Sequence, residues 1–233
     1  MEAVQARERL LVQLITLPPG RPAERSLYRV IEWGADWWAR VLLRGPYVQR
    51  MLLRGDATTA AHLVAALVQA AGTPGVRAVD LAIHPHGTTQ RLVLADGPVD
   101  VDDIATRVGA VVASPQRHRL RAVFSTACYG ASHLDAWLRA GFVVATGARG
   151  IYADGLTSVP VMFRAWAARG TVEQCVQASN ADPTRHVQDS LAARYYAWTG
   201  RPREAQGVDS TRVLGGDGEV TLGTDPAGLS RPG

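Results

Sequence analysis

Short apolar segments alternate with amphipathic ones between residues 47 and 198, and glycine, proline or helix-capping residues mark their boundaries. The apolar segments predict strands at 47–53, 76–83, 91–95, 120–125 and 142–146. The amphipathic segments predict helices at 56–71, 100–108, 132–140 and 160–169, followed by two that begin at Thr171 and Asp182. Strands that alternate with helices of this length are typical of a parallel sheet covered on both faces. The sequence therefore predicts an α/β fold with a mainly parallel sheet of about six strands.

The first part of the chain, residues 1–45, is predicted to be a helical N-terminal arm. A helical start is expected before the break at Pro18-Pro19-Gly20, and a second helix is expected at 28–43. The apolar residues of this second helix recur at helical spacing: Val30, Trp33, Trp37 and Val41. We expect that stripe to pack against the main domain, which we place at residues 46–200.

The last part of the chain, residues 201–233, is rich in glycine and proline. It is predicted to be a tail, either with a hairpin over residues 213–222 or as a frayed end. The sequence contains no internal repeat.

Charge and hydropathy argue against several classes of partner. All 25 basic residues are arginine, they are scattered along the chain, and the net charge is only +4, so we expect no nucleic-acid partner. No apolar stretch approaches the roughly 20 residues that cross a bilayer, and the first residues do not resemble a signal peptide. Two cysteines, Cys128 and Cys175, form no disulfide framework. These features predict a cytoplasmic protein without a membrane partner.

Two chemically active side chains follow strands of the predicted sheet. His86-Gly87 comes just after the strand at 76–83, and Cys128 comes just after the strand at 120–125. In open parallel sheets, ligands bind beyond the carboxyl ends of the strands. If these two strands are neighbours, the imidazole and the thiol come within reach of each other.

A thiol and an imidazole in one site are suited to acyl transfer. A free thiol has a pKa of about 8.5, so little of it is nucleophilic thiolate at neutral pH. An imidazole can accept the thiol proton and later donate it to the leaving amine. The backbone N–H groups of Gly87 and Cys128 could stabilise the oxyanion, and a glycine lets the substrate carbonyl approach the backbone.

At these residues the sequence resembles the caspase-like clan of cysteine peptidases, and within it the bacterial CHAT peptidases. The resemblance rests on His86-Gly87, on Ala127-Cys128-Tyr129-Gly130 and on their spacing. It extends to flanking segments from about residue 47 to residue 181. These segments are 91–98, 102–105, 124–128, 138–141, 162–163 and 170–174.

The resemblance implies a three-layer sandwich and a cysteine endopeptidase that needs no metal or cofactor. In it, His86 would be the general base and acid, Cys128 the nucleophile, and the Gly87 and Cys128 amides the oxyanion hole. A peptide substrate would pair with the chain at Thr146 and Gly147, although the segment 147–150 lacks the tryptophan common in CHAT proteins. Asp154 is the nearest acid that could bind a basic side chain at P1, the residue on the acyl side of the scissile bond.

The resemblance also implies that activity is controlled, and we expect a regulatory partner protein acting in trans through the arm that carries Trp33, Trp37 and Trp38. Two alternatives to a peptidase remain. One is a caspase-like protein that no longer cleaves and serves as a binding or scaffold partner. The other is a metal site at His84, His86, Cys128 and His133, whose spacing matches no recognised closed zinc site.

Overall fold

The computed structural model describes residues 3–18 and 22–229, and within them one sheet of eight strands carries helices on both faces. The strands are β1 (Arg9–Thr16), β2 (Gln49–Arg54), β3 (Ala78–Thr88), β4 (Arg91–Leu94), β5 (Gly97–Asp100), β6 (Leu120–Ser125), β7 (Val144–Ala148) and β8 (Arg212–Gly216). The helices are α1 (Arg25–Leu42), α2 (Ala60–Gly72), α3 (Val101–Val111), α4 (Ser114–Arg117), α5 (Leu134–Ala140), α6 (Ser158–Ala167), α7 (Val172–Ala181), α8 (Pro183–Trp198) and α9 (Pro202–Gln206). The predicted α/β architecture is confirmed.

The main sheet has the strand order β2-β1-β3-β6-β7-β8. The first five of these strands pair in parallel, and β8 runs antiparallel to β7 at one edge. Near its end, β3 leaves the parallel ladder and pairs with β4, which in turn pairs with β5. The sheet is thus mainly parallel, with a small antiparallel extension at the end of β3.

Capping side chains explain where several of the helices begin. The Thr59 hydroxyl accepts a hydrogen bond from the backbone N–H of His62, so α2 begins at Ala60 and not at the predicted Asp56. Thr171 and Gln174 form a reciprocal cap of α7, the helix predicted to begin at Thr171. Asp182 caps α8, the helix predicted to begin there, and Pro183 occupies its first turn.

Two hydrophobic clusters cover the faces of the sheet. On one face, α2, α3 and α5 bury Leu63, Ile104 and Trp137. On the other face, α6 and α7 bury Trp166 and Cys175. A parallel sheet with both faces buried needs apolar side chains on both sides of each central strand, which is why the strand segments are mostly apolar.

The expectation of a helical start before Pro18 was wrong. Residues Arg9–Thr16 form β1, which is fully buried between β2 and β3 in the interior of the sheet. An apolar segment such as Leu10–Ile15, which only Gln13 interrupts, does not by its periodicity distinguish a buried strand from a helix. The residues before 46 therefore contribute to the same sheet as the main domain, and the boundary of a separate arm is corrected.

Helix α1 also packs differently from the prediction. Its buried residues are the small Gly34, Ala35 and Ala39, together with Asp36. The apolar stripe is on the opposite side, where Trp33 is 58% exposed and Trp37 is 46% exposed. Small residues let the helix lie close to the protein, and this close approach leaves the tryptophans facing solvent.

The predicted C-terminal tail is partly ordered into the domain. Val213 pairs with Gly147 as part of β8, and Val220 and Leu222 are buried against the core. The hairpin expected over residues 213–222 therefore does not form, since β8 pairs with β7 instead. Residues 1, 2, 19–21 and 230–233, including part of the predicted break after β1 and the end of the predicted tail, lie outside the described residues.

In the described part of the chain, no helix combines the length and the apolar character that crossing a bilayer requires.

A buried polar network joins β3 to β6. The Arg121 guanidinium donates to both carboxylate oxygens of Asp80, at 3.0 Å and 2.5 Å, and neither side chain is exposed. The Tyr47 hydroxyl donates to the same carboxylate at 2.5 Å, and the Trp166 indole N–H donates to the Tyr47 oxygen at 2.8 Å. Each charge in this network has a partner, as a buried ion pair requires.

We expect Asp80→Ala to lower the free energy of unfolding by about 3–5 kcal/mol, because it leaves the Arg121 charge buried without a partner. Urea titration of both proteins measures this difference. The matched control is Arg139→Ala, which removes an exposed ion pair with Asp102 and should cost no more than about 1 kcal/mol. Equal losses in the two variants would contradict the structural role assigned to the Asp80 network.

Candidate active site

The structure brings His86 and Cys128 to one cavity. Strands β3 and β6 are parallel neighbours, with Ile83 opposite Ser125, and the backbone N–H of Thr126 donates to the Ile83 carbonyl at 2.9 Å. His86 lies near the end of β3, and Cys128 lies in the turn after β6. Both side chains line a cavity of about 350 Å³ at this rim of the sheet.

Gly87 lies against the backbone of the turn that carries the thiol. A Cβ atom at this position would come within 2.5 Å of the Cys128 carbonyl oxygen and 2.9 Å of the Ala127 Cβ. Both distances are too short for any side chain, so glycine is required for the segment after His86 to approach Cys128.

The turn after Cys128 is held on its other side as well. Tyr129 has a positive φ of 56°, a conformation uncommon for residues other than glycine. Its backbone N–H donates to the Gly150 carbonyl at 2.7 Å. Gly130 packs directly on Gly147, where a Cβ atom would lie 2.3 Å from the Gly130 carbonyl carbon. These contacts fix the backbone on which Cys128 is carried.

The surroundings of the thiol act on its pKa in opposite directions. Burial raises the pKa of Cys128, because it disfavours the charged thiolate. The Tyr152 backbone N–H donates to the sulfur, with N and Sγ 3.4 Å apart. This N–H and the backbone N–H groups of Gly87 and Cys128 favour the thiolate and lower the pKa of Cys128. Burial is the larger effect, and the pKa of the thiol is raised overall, so the resting group is protonated.

The imidazole is also neutral at rest. Burial lowers the pKa of His86, and this effect exceeds the opposing influence of its hydrogen bond and of Glu24 and Glu32. The Nε2 atom lies 3.0 Å from the Pro18 carbonyl oxygen, which can only accept, so Nε2 carries the proton. The Nδ1 atom is then the proton acceptor of the ring. Tyr28 contacts the ring edge-on, with the ring centroids 4.8 Å apart.

Thr146 and Gly147 are not brought to the cavity. Thr146 is buried between Phe124 of β6 and Leu214 of β8, and Gly147 pairs with Val213. Because β8 occupies the free edge of β7, a peptide strand cannot be added there in this arrangement. The sequence did not reveal this, since β8 lies far along the chain and reads as part of the tail.

Asp154 is likewise directed away from the cavity. Its neighbours Ala153 and Gly155 line the cavity wall, but the Asp154 side chain is buried and accepts a hydrogen bond from the Thr157 hydroxyl. Burial raises the pKa of this carboxyl group. The carboxylate is therefore not placed to bind a side chain that enters the cavity.

The other histidines of the site region serve the packing. His84 is buried, its Nδ1 lies 3.0 Å from the Thr126 hydroxyl, and burial lowers its pKa to about 3. His133 is also buried, with Nε2 at 2.9 Å from the Thr88 carbonyl oxygen. Among the residues that the structure describes, no three His, Cys, Asp or Glu side chains are grouped to hold a metal ion.

Sequence reasoning missed most of the cavity wall. Much of the wall comes from α1 and α8, which contribute Leu27, Tyr28, Ile31, Leu191, Ala192, Tyr195 and Tyr196. The paired tyrosines of α8 were the one local signal, but nothing in the sequence shows that α1 and α8 meet beside Cys128.

Comparison with known proteins supports the fold and no more. No family model matches the chain, and no curated protein matches it. A solved structure of a secreted C11 cysteine protease from Bacteroides thetaiotaomicron, "iotapain", superposes with a TM-score of 0.50 at 11% sequence identity. The match covers 84% of this chain and 71% of that one. The chain has a caspase-like fold.

The caspase-like fold confirms the predicted architecture, and membership of the caspase-like clan stays a prediction. At 11% identity, the likeness carries no assignment of individual residues. A special closeness to the CHAT peptidases stays a prediction.

We expect the alkylation rate of Cys128 by iodoacetamide to rise about tenfold per pH unit from pH 6 to about pH 8.5. A thiol whose pKa is raised gains thiolate in proportion to hydroxide throughout this range. Mass spectrometry of the Cys128 peptide measures the rate, and the buried Cys175 is the internal control. A rate independent of pH would contradict the neutral pair, because it would indicate a thiolate already formed at pH 6.

Proposed function

We propose that the protein is a cysteine endopeptidase that cleaves a protein substrate through His86 and Cys128. The observation that carries the proposal is the placement of both side chains in one cavity, where the Tyr152 backbone N–H donates to the sulfur. The caspase-like fold supports the same function, because the similar solved structure is that of a cysteine protease.

In the first half of the proposed reaction, the Cys128 sulfur attacks the carbonyl carbon of the scissile peptide bond. His86 accepts the thiol proton as the sulfur–carbon bond forms, since neither group is charged at rest. The Gly87 and Cys128 amides donate to the oxyanion of the tetrahedral intermediate. The carbon–nitrogen bond then breaks, and the amine leaves with the proton from His86.

In the second half, water hydrolyses the thioester on Cys128. His86 accepts a proton from the water as its oxygen bonds to the acyl carbon. The carbon–sulfur bond breaks, the sulfur regains a proton from His86, and the acid product leaves. Each proton taken by His86 is returned, so the protein ends as it began and needs no cofactor.

A binding or scaffold function is the alternative, and one observation favours it. His86 is hydrogen-bonded to the Pro18 carbonyl and contacts Tyr28, so part of its surface is already occupied. A substrate that displaced Pro18 from the ring would release Nε2, whereas a scaffold would have no need to do so.

We also propose a regulatory partner protein that acts in trans on the surface formed by Trp33 and Trp37. These rings stack with centroids 5.5 Å apart and are half exposed, which is uncommon for large apolar side chains of a monomer. Trp33→Gln with Trp37→Gln would remove the partner's effect on the cleavage rate while keeping the unregulated rate. An unchanged response would contradict this site.

A cytoplasmic location stays a prediction.

We expect Cys128→Ala to abolish cleavage and His86→Ala to lower kcat/KM by about 10²–10⁴-fold, because the first removes the nucleophile and the second the proton carrier. Thermal unfolding of both variants should match the unchanged protein. Cys175→Ala is the matched control, since it removes the other thiol away from the cavity and should keep cleavage.

Labelling with a peptidyl electrophile separates the peptidase from the scaffold. The peptidase should be modified stoichiometrically at Cys128, and His86→Ala should lose this modification. Equal labelling of the two proteins, or turnover that persists in Cys128→Ala, would overturn the proposed function.

A further inference from the structure

The cavity beside Cys128 is walled mainly by apolar surface. Leu27 and Ile31 of α1, Leu191 and Ala192 of α8 and the rings of Tyr28, Tyr195 and Tyr196 line it, and the uncharged Thr126 and Gln188 add polar groups. Leu27 and Leu191 are half exposed, so they form a rim that opens to solvent. A substrate side chain that enters past this rim therefore meets mostly apolar surface on its way to the reacting thiol.

One charged side chain lies in this wall, and its charge is already paired. Among the described residues that line the cavity, Glu24 is the only aspartate, glutamate, lysine or arginine, and it is buried. Its Oε1 atom accepts from Arg201 Nη2 at 3.0 Å and from the Tyr195 hydroxyl at 3.3 Å. The Arg201 guanidinium also lies over the Tyr196 ring, 4.5 Å from its centroid.

This pairing disfavours a charged substrate side chain. An acidic side chain would enter next to the Glu24 carboxylate and apolar walls, with no cation to receive it. A basic side chain would have to share the Glu24 carboxylate with Arg201, whose guanidinium already pairs with Oε1 and lies over the Tyr196 ring. Charges are buried at a large cost unless they are paired, so both kinds of side chain are penalised. Asp154, the acid considered from the sequence, faces away from the cavity.

The size of the cavity fits a large side chain. A cavity of about 150 Å³ lined by aliphatic and aromatic residues is enough to bind benzene. The cavity beside Cys128 measures about 350 Å³, which leaves room for a branched aliphatic or aromatic side chain and for part of the adjoining backbone.

From the apolar walls, the internal pairing of Glu24 with Arg201 and the contact with Cys128, we propose that the cavity binds a large uncharged side chain at P1, of the leucine, methionine or phenylalanine class. This inference rests on the proposed peptidase function and names its substrate class. It differs from the basic P1 side chain that Asp154 was expected to bind.

Three peptidyl acyloxymethyl ketones that differ only in a P1 leucine, arginine or aspartate test the inference. In each, the Cys128 sulfur bonds to the methylene carbon, the acyloxy group leaves as a carboxylate, and the thiol proton passes to His86 or solvent. We expect the second-order rate of labelling with the leucine probe to exceed the other two by at least about tenfold. Mass spectrometry identifies the adduct, which must be absent from Cys128→Ala.

Two variants connect the preference to this cavity. Ala192→Phe fills the space and should slow the leucine probe by at least about tenfold, whereas Ala197→Phe, on an exposed position of the same helix, should not. Arg201→Gln leaves the Glu24 carboxylate without its cation, so it should raise the rate of the arginine probe relative to the leucine probe. A purely structural role of Arg201 would slow all three probes alike.

The outcomes separate this inference from the proposed function. If the arginine or aspartate probe labels Cys128 fastest, or all three label it equally, the P1 inference is overturned and the peptidase proposal stands. If none of the probes labels Cys128 while iodoacetamide still does, the peptidase proposal is overturned and the P1 inference with it.

Discussion

The direct parallel pairing of β3 with β6 is the constraint on which the rest of the site depends. It brings the ends of two strands to one rim, so that His86 on the first and Cys128 after the second face a common cavity. The buried Asp80–Arg121 pair joins the same two strands deeper in the sheet. Two charges removed from water stabilise a fold only in a geometry that satisfies both, so the network favours this strand order over others.

The central part of the fold was accessible from the sequence because its elements carry local signals. Strands β3, β6 and β7 are apolar segments with clear boundaries, and side chains such as Thr171 and Asp182 cap the later helices. β1 was missed, because an apolar segment without alternation fits a helix or a buried strand equally well. β8 was missed for another reason, since its partner β7 lies more than sixty residues earlier and only tertiary contacts select it.

The residues of the candidate site were predictable where they follow the ends of strands. They were not predictable where the site depends on packing between elements that are distant in the sequence. His86, Gly87 and Cys128 could be placed from strand ends alone. Thr146 and Gly147 were assigned to substrate binding from a resemblance, but β8 fills the edge they would need. The cavity wall is formed where α1 and α8 meet beside the thiol, and no local pattern encodes that meeting. The same contact pairs Glu24 with Arg201, which determines the charge of the cavity.

Because the thiol and the imidazole are both neutral at rest, the proposed reaction depends on where the oxyanion donors and the proton acceptor lie. The crystal structure of the protein with a peptide bonded to Cys128 Sγ tests this account most directly. The account predicts that the peptide carbonyl oxygen lies within hydrogen-bond distance of the Gly87 and Cys128 amides, with the His86 ring on the same rim of the sheet. A peptide whose carbonyl oxygen points away from both amides, or a ring on the opposite rim, would contradict it.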